Sequence, residues 1–455
     1  MKKIRVGRRW SRAAIVLAAL LPLAPLAAQQ GGDPFERVVE ALKSDRFAEA
    51  LELSRSAAAV APLDPEAQAL YGLALLYWGE TERAESALRL ALDVDPENAD
   101  AHLGLGLIAA GFNRYEAAVS HLLSAAPSER FLGEAMLALS RVHFFAGVPD
   151  AALRAAEVAL DEIDYLSDAQ MEELRAHAEH LRSLGNRSLF QVPESFQKTT
   201  AELLPQPGGS LSGVDIRING QRVVRFLLDP ACPNFIVVSR RLAERFGLEF
   251  AGGGTAMQYS LLDTLEIGTL VVERVPALLL RSPDFADGIE GVIGTGFLRR
   301  FNCTIDFRAA YLQLYRIDRP DLLERSIDRS RVAARLPVFS LPAPSVGVSV
   351  GGSDPVPFII NTARSTVLDG AYYDVRIAPN TAGARAALGD VAVDLPSISA
   401  GGIEAADLRI AIGDLAPPSW MERQRVAGIL GIDFFGRYRL HLNFSDSVMT
   451  LESAR

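Results

Sequence analysis

The chain has 455 residues, 49% of them hydrophobic and 22% charged, a composition that calls for packed domains and excludes both wholesale disorder and a polytopic membrane protein. Its length predicts about three folding units. With 46 basic against 56 acidic residues and a formal charge of −10, the balance argues against a nucleic-acid partner, whose phosphates demand clustered Lys and Arg.

Residues 1–28 read as a secretory signal peptide. Lys2, Lys3, Arg5, Arg8, Arg9 and Arg12 precede an apolar run from Ala13 to Ala28, and Ala27 and Ala28 offer a peptidase site before Gln29. The run is shorter than the ~20 residues a membrane span needs. An uncleaved anchor is the alternative, and only then is membrane contact expected. Removal of the signal leaves 40 basic against 56 acidic residues, a formal −16. The expected location is extracytoplasmic, in a bacterial periplasm or secreted. That compartment permits a bridge between the only cysteines, Cys232 and Cys303; two buried free thiols are the alternative.

From residue 33 to 185 the chain is rich in Ala, Leu and Glu at helical spacing, and it repeats with a period of 34. Gly72 and Gly106 coincide at that shift, as do Ala84, Ala118 and Ala152, then Leu88, Leu122 and Ala156, then Ala91, Ala125 and Ala159. Ala50, Ala57 and Pro62 extend the pattern one step back, matching Ala84, Ala91 and Pro96. This pattern resembles tetratricopeptide repeats, in which tiny side chains let paired helices approach and a proline follows the second helix. The resemblance implies a stacked array that binds a peptide or protein partner; a helical spacer supporting the next domain is the alternative. Five of the six histidines lie in this half, with His177 and His180 three apart. Without a third ligand pattern they predict exposed helix polarity and no metal site.

Near Gln191 helical spacing gives way to short β-branched runs. Val214–Ile218 and Val223–Leu228 are joined through Asn219-Gly220, a strong hairpin turn. The first β block spans 191–318, a charged connector 319–335, and a second β block 336–455. The blocks echo each other. Phe226-Leu227-Leu228 runs into Asp229-Pro230-Ala231 as Phe358-Ile359-Ile360 runs into Asn361-Thr362-Ala363, and Gly291-Val292-Ile293-Gly294 returns as Gly428-Ile429-Leu430-Gly431. Duplication is the simplest explanation.

A hydrophobic strand entering such a loop, followed about 60 residues later by an apolar pair and glycine, resembles one lobe of a retropepsin-type aspartic peptidase. Two lobes in tandem resemble the pepsin-type arrangement, over roughly 205–318 and 336–453. The expected fold is therefore multidomain α plus β: a tetratricopeptide-type array, then two β-rich aspartic-peptidase-like lobes. The resemblance also implies flap hairpins near Gly252–Leu265 and Gly389–Ile398.

Family chemistry needs two carboxylates that share one proton, each in an Asp-Thr-Gly loop. Here Asp229 supplies one carboxylate, but Pro230 stands for threonine and removes a hydroxyl and an N–H, and Ala231 stands for glycine. In the second loop Asn361 replaces aspartate, Thr362 keeps the hydroxyl, and Ala363 replaces glycine. Asparagine cannot hold the shared proton. The expectation is a peptidase-like protein with impaired catalysis that binds peptide or protein partners through its cleft and repeats. The alternative is an active aspartic endopeptidase using Asp229, for example as a dimer. Asp433, beside the second Gly-rich turn, reads as a helix N-cap. No Gly-x-Ser-x-Gly, phosphate loop or His-Glu-x-x-His motif occurs, and no cofactor is expected.

Overall fold

Helices α2 (Phe47–Val60), α4 (Thr81–Val94), α6 (Tyr115–Ala125) and α8 (Pro149–Glu162) start 34 residues apart. Between them lie α1 (Pro34–Lys43), α3 (Pro65–Trp78), α5 (Ala99–Gly111) and α7 (Leu132–Ala146), and α9 (Asp168–Leu184) closes the array. The computed structural model describes residues 33–206, 211–250, 257–280, 285, 288–340, 343–369, 392–413, 415 and 425–454. The signal-peptide reading lies outside them. Among the described residues no helix is long and apolar enough to cross a membrane.

The period reaches the backbone in two ways. Asp64 and Asn98 cap α3 and α5 by accepting from Ala67 N (3.0 Å) and Ala101 N (2.9 Å). In each turn between paired helices one residue takes the left-handed conformation: Asp45, Gly79, Asn113 and Gly147, residue types that tolerate positive φ. The small residues do what their size allows. Ala84, Ala118 and Ala152 are fully buried, and a methyl built on Gly106 would lie 2.8 Å from Leu122 Cδ2 and 3.2 Å from its backbone nitrogen. We therefore expect Gly106→Val to destabilise the array by roughly 1–3 kcal/mol through overpacking. Thermal unfolding followed by helical circular dichroism checks this, and an unchanged midpoint would mean that α6 can yield without cost.

After the array come two seven-stranded sheets of matching order. The first runs β2 (Leu204–Pro205), β3 (Leu211–Ile218), β4 (Val223–Leu228), β8 (Gly291–Ile293), β5 (Ile236–Val238), β7 (Leu270–Leu280), β6 (Met257–Ile267). The second runs β12 (Phe339–Ser340), β13 (Pro344–Val350), β14 (Val356–Ile360), β18 (Gly428–Leu430), β15 (Val367–Asp369), β17 (Ile403–Gly413), β16 (Ala392–Ala400). In both, the outer hairpin folds back so that β6 also pairs with β3 and β16 with β13, which curls each sheet toward a barrel. Residues 252–256 and 389–391 of the expected flaps lie outside the described residues; the rest of each falls on β6 and β16.

A third sheet joins the lobes in the order β1 (Lys198–Glu202), β10 (Tyr311–Arg316), β9 (Phe301–Asp306), β19 (Tyr438–Asn443), β20 (Val448–Ser453), β11 (Val332–Pro337). β9 and β19 meet antiparallel at its centre, Cys303 opposite Leu442. Around this seam Arg439 donates to Asp306 Oδ2 (2.8 Å) and Glu452 Oε1 (3.1 Å), while His441 contacts Thr304 Oγ1 and Glu452. The carboxylates of Asp306 and Glu452, 4% and 1% exposed, persist there because each has partners.

The helix-pair turns of the array rest on both lobes. Arg425 donates its backbone N–H to Tyr77 O (2.9 Å) and lays its guanidinium 4.2 Å from the Trp78 ring. Asn113 bridges the halves: its Oδ1 accepts from Arg299 of the first lobe, and its Nδ2 donates to Phe444 O of the second (3.1 Å). Phe339 of β12 meets Phe112 edge-on at 5.3 Å and joins the array's apolar core. The chain is thus a multidomain α plus β protein, with a helical repeat array followed by two β-rich lobes.

Candidate functional site

In each lobe the central strand, β4 or β14, runs parallel to β8 or β18, so the loop leaving it must cross the chain that follows β8 or β18. Glycine makes that crossing possible. A methyl on Gly294 would sit 2.2 Å from Asn234 O, and one on Gly431 would sit 2.3 Å from the Ser365 carbonyl carbon.

The two loops leave their strands in matching ways. Asp229 N–H donates to Ile293 O (3.1 Å), and Asp229 Oδ1 accepts from Ala231 N (2.9 Å). Asn361 N–H donates to Leu430 O (3.0 Å), and Asn361 Oδ1 accepts from Ala363 N (2.7 Å) and Arg364 N (3.1 Å). An amide oxygen can make these turn bonds as a carboxylate does, so Asn361 keeps the loop shape without the charge. The loops also touch. Thr362, fully buried, donates its hydroxyl to Leu228 O of the first lobe at 3.1 Å, one bond along the chain from Asp229. Pro230 has neither hydroxyl nor N–H to return that bond; its carbonyl instead accepts from Thr295 Oγ1. The tie between lobes is therefore made from the second side.

Burial pushes the Asp229 carboxyl above the ordinary aspartate range, opposed by the Ala231 amide and by the Arg364 guanidinium. Arg364, exposed on the second loop, is the charge that sequence reasoning passed over. Its position three residues after Asn361 was visible, but its influence on Asp229 depends on the lobes meeting. Asp433 is not the N-cap expected of it. Gly431 holds that position, and Asp433 Oδ1 instead accepts from Thr366 Oγ1 (2.6 Å) and Thr366 N (2.9 Å), bracing the second loop. The cysteines are unbridged: Cys232 is half-buried on the first loop, and Cys303 is buried in β9 with its thiol pushed up to about 12 by burial.

Residues 214–297 match the aspartyl protease family model. The match runs from β3 through Phe297, in the short helix Thr295–Leu298 that follows β8, and so takes in the whole first loop. The first lobe is an aspartyl-protease-like domain. Among solved structures the chain is similar to conglutin gamma, a basic 7S globulin from lupine seeds, at 10% identity and a TM-score of 0.36, covering 57% of this chain and 96% of that one. The array is similar to pilF of Pseudomonas aeruginosa (20% identity, TM-score 0.27, 33% of this chain and 66% of that one). It is also similar to MamA of AMB-1 (18% identity, TM-score 0.26, 33% and 85%). No curated protein matches the chain.

His177 and His180 lie elsewhere than expected. Both are buried, between α9, α7 and β6 of the aspartyl-protease-like lobe, and among the described residues no group of three or more His, Cys, Asp or Glu could hold a metal ion.

Proposed function

We propose that the two lobes form one aspartic-peptidase-like cleft, built in tandem, whose centre binds an extended peptide or protein segment without efficient cleavage. The observation that carries this reading is the pairing of Asp229 with an asparagine loop that keeps every turn hydrogen bond while supplying no second carboxylate. Cleavage of a peptide bond by this chemistry needs one group to take a proton from water while another gives one to the carbonyl. A lone carboxyl beside Arg364 supports only half of that exchange. The walls of such a cleft still offer backbone hydrogen-bonding groups for a strand-like ligand. On this reading the signal sequence exports the protein, and the surface of the array that does not face the lobes recruits the same client.

A second reading has one observation in its favour. Burial raises the Asp229 carboxyl, which suits a group that carries a proton in mild acid, so an active endopeptidase would act through Asp229 alone or across a dimer. The two are separated by offering a diverse peptide pool between about pH 3 and 7 to the full-length protein and to Asp229→Ala. We expect peptides to be retained but left intact by both proteins. Cleavage by the wild type that Asp229→Ala abolishes would establish the enzyme instead.

A further inference from the structure

The last helical hairpin does more than end the array. α9 lies along β6, and two histidines one turn apart point into the seam. His180 stacks on Tyr259 with ring centroids 4.7 Å apart and planes 16° apart; His177 lies 6.0 Å from the same ring. Phe144 of α7 meets both imidazoles edge-on, at 5.1 and 6.2 Å, and also meets Phe235 at 5.3 Å. Phe235 belongs to the loop that begins at Asp229. The histidines are 2% and 1% exposed, and neither ring nitrogen of His180 makes a hydrogen bond.

Charged and titratable groups from three elements face this pair among the described residues. Arg141 comes from α7, Glu173 from α9 and Tyr259 from β6. Burial first, and then Arg141, lowers His177 to about 4; burial and then His177 lower His180 to about 3. Burial also raises the Glu173 carboxyl, so ionising it inside the seam has a cost of its own. Stacking on Tyr259 offers a protonated His180 some cation–π attraction, which is small beside the cost of burying an unpaired charge.

We propose that His177 and His180 form an acid-sensitive latch: neutral, they hold the last helical hairpin of the array against β6 and the first loop, and protonated, they loosen that end of the array. The direction follows from which state takes up the proton. An exposed histidine titrates near 6.5, whereas the docked ones resist protonation until the pH is well below that. Docking therefore carries no penalty above about 6.5, loses ground steadily below it, and reaches its full penalty only below the docked values. The latch would change access to the first loop with pH whether or not the cleft cleaves its ligand.

Hydrogen exchange of the full-length protein, corrected for the intrinsic effect of pH, tests the proposal. Between about pH 7 and pH 4.5 the opening of α9 and β6 should increase by at least about 100-fold, ahead of β9 and β19 in the central sheet. The double variant His177→Gln, His180→Phe should hold its protection at the lower pH. The comparison with β9 and β19 matters because His441 in that sheet is also lowered by burial, against the pull of Glu452. Unchanged protection of α9 and β6 in acid would overturn the latch. So would equal loss in β9 and β19, or equal acid opening of the double variant. If the double variant fails to fold, His180→Phe alone serves as the comparison, and the wild-type result still decides.

Discussion

Asn361→Asp is expected to lower stability near pH 7 by about 1–3 kcal/mol, to return that stability on acidification, and to raise acid-dependent peptide cleavage above whatever the wild type shows. The new carboxylate would keep the bonds from the Ala363 and Arg364 amides, so the loop should retain its shape. Thr362 holds the two loops within one hydrogen bond of each other, which brings the second negative charge close to Asp229. At neutral pH Arg364 would then face two carboxylates where it now faces one. Two such groups share a proton, and the value of the pair in the folded protein rises above that of an unfolded aspartate. The folded state then binds more protons than the unfolded state, and stability grows as the pH falls through the raised value. Urea unfolding at about pH 7 and 4.5, beside a peptide-pool assay, checks both parts. A variant that is less stable in acid than at neutrality, or cleavage that survives Asp229→Ala, would contradict the arrangement.

Phe339→Ala should cost about 3–5 kcal/mol and separate the melting of the array from that of the lobes. Phe339 enters the array's core from the second lobe, and its ring is so close to α5 that a methyl on Gly111 would lie 2.2 Å from Cε2. Removal of the ring opens a cavity that neither side can fill, because Gly111 has no side chain and Phe112 meets the ring only by its edge. Near Phe339 the remaining links, chiefly Asn113 with Arg299 and Phe444, are polar and contribute less once water reaches them, which leaves the apolar seam of α7 and α9 with the first lobe as the main coupling. Calorimetry should show one transition in the wild type and two in the variant. A single transition at the original temperature would mean that Phe339 does not couple the units.

Much of this arrangement was legible because its causes are local. The 34-residue period predicted the helix pairs, and the pairing of Gly106 with Leu122 follows from a small residue facing a large one at a constant offset. The same period marks Asp45, Gly79, Asn113 and Gly147 as left-handed turn residues, a signal in residue type that reading for helix-packing positions alone did not use. In the β blocks, the apolar strand, the polar loop and the later Gly-rich turn located Asp229 and Asn361 by chain distance alone. Asp433 was misread because a short helix with an acidic residue near its start satisfies the N-cap rule, whereas the bond actually made goes to Thr366, 67 residues away in the chain.

The sequence by itself determined the helical repeat, the strand echoes and the chemistry of the two loops, including a carboxylate in one and an amide in the other. These depend on residue size, backbone freedom and side-chain functional groups, which act over a few bonds or at a fixed period. Only the tertiary structure decided that Thr362 reaches Leu228, that Arg364 acts on Asp229, that Asn113 joins both lobes, and that His177 and His180 are buried against Tyr259. Each of those contacts joins residues far apart in the chain, and their meeting depends on how three separately patterned units pack. An exposed helix face and a face covered by another domain carry the same helical spacing, so the burial of the histidines became visible only once α9 had a surface to lie on.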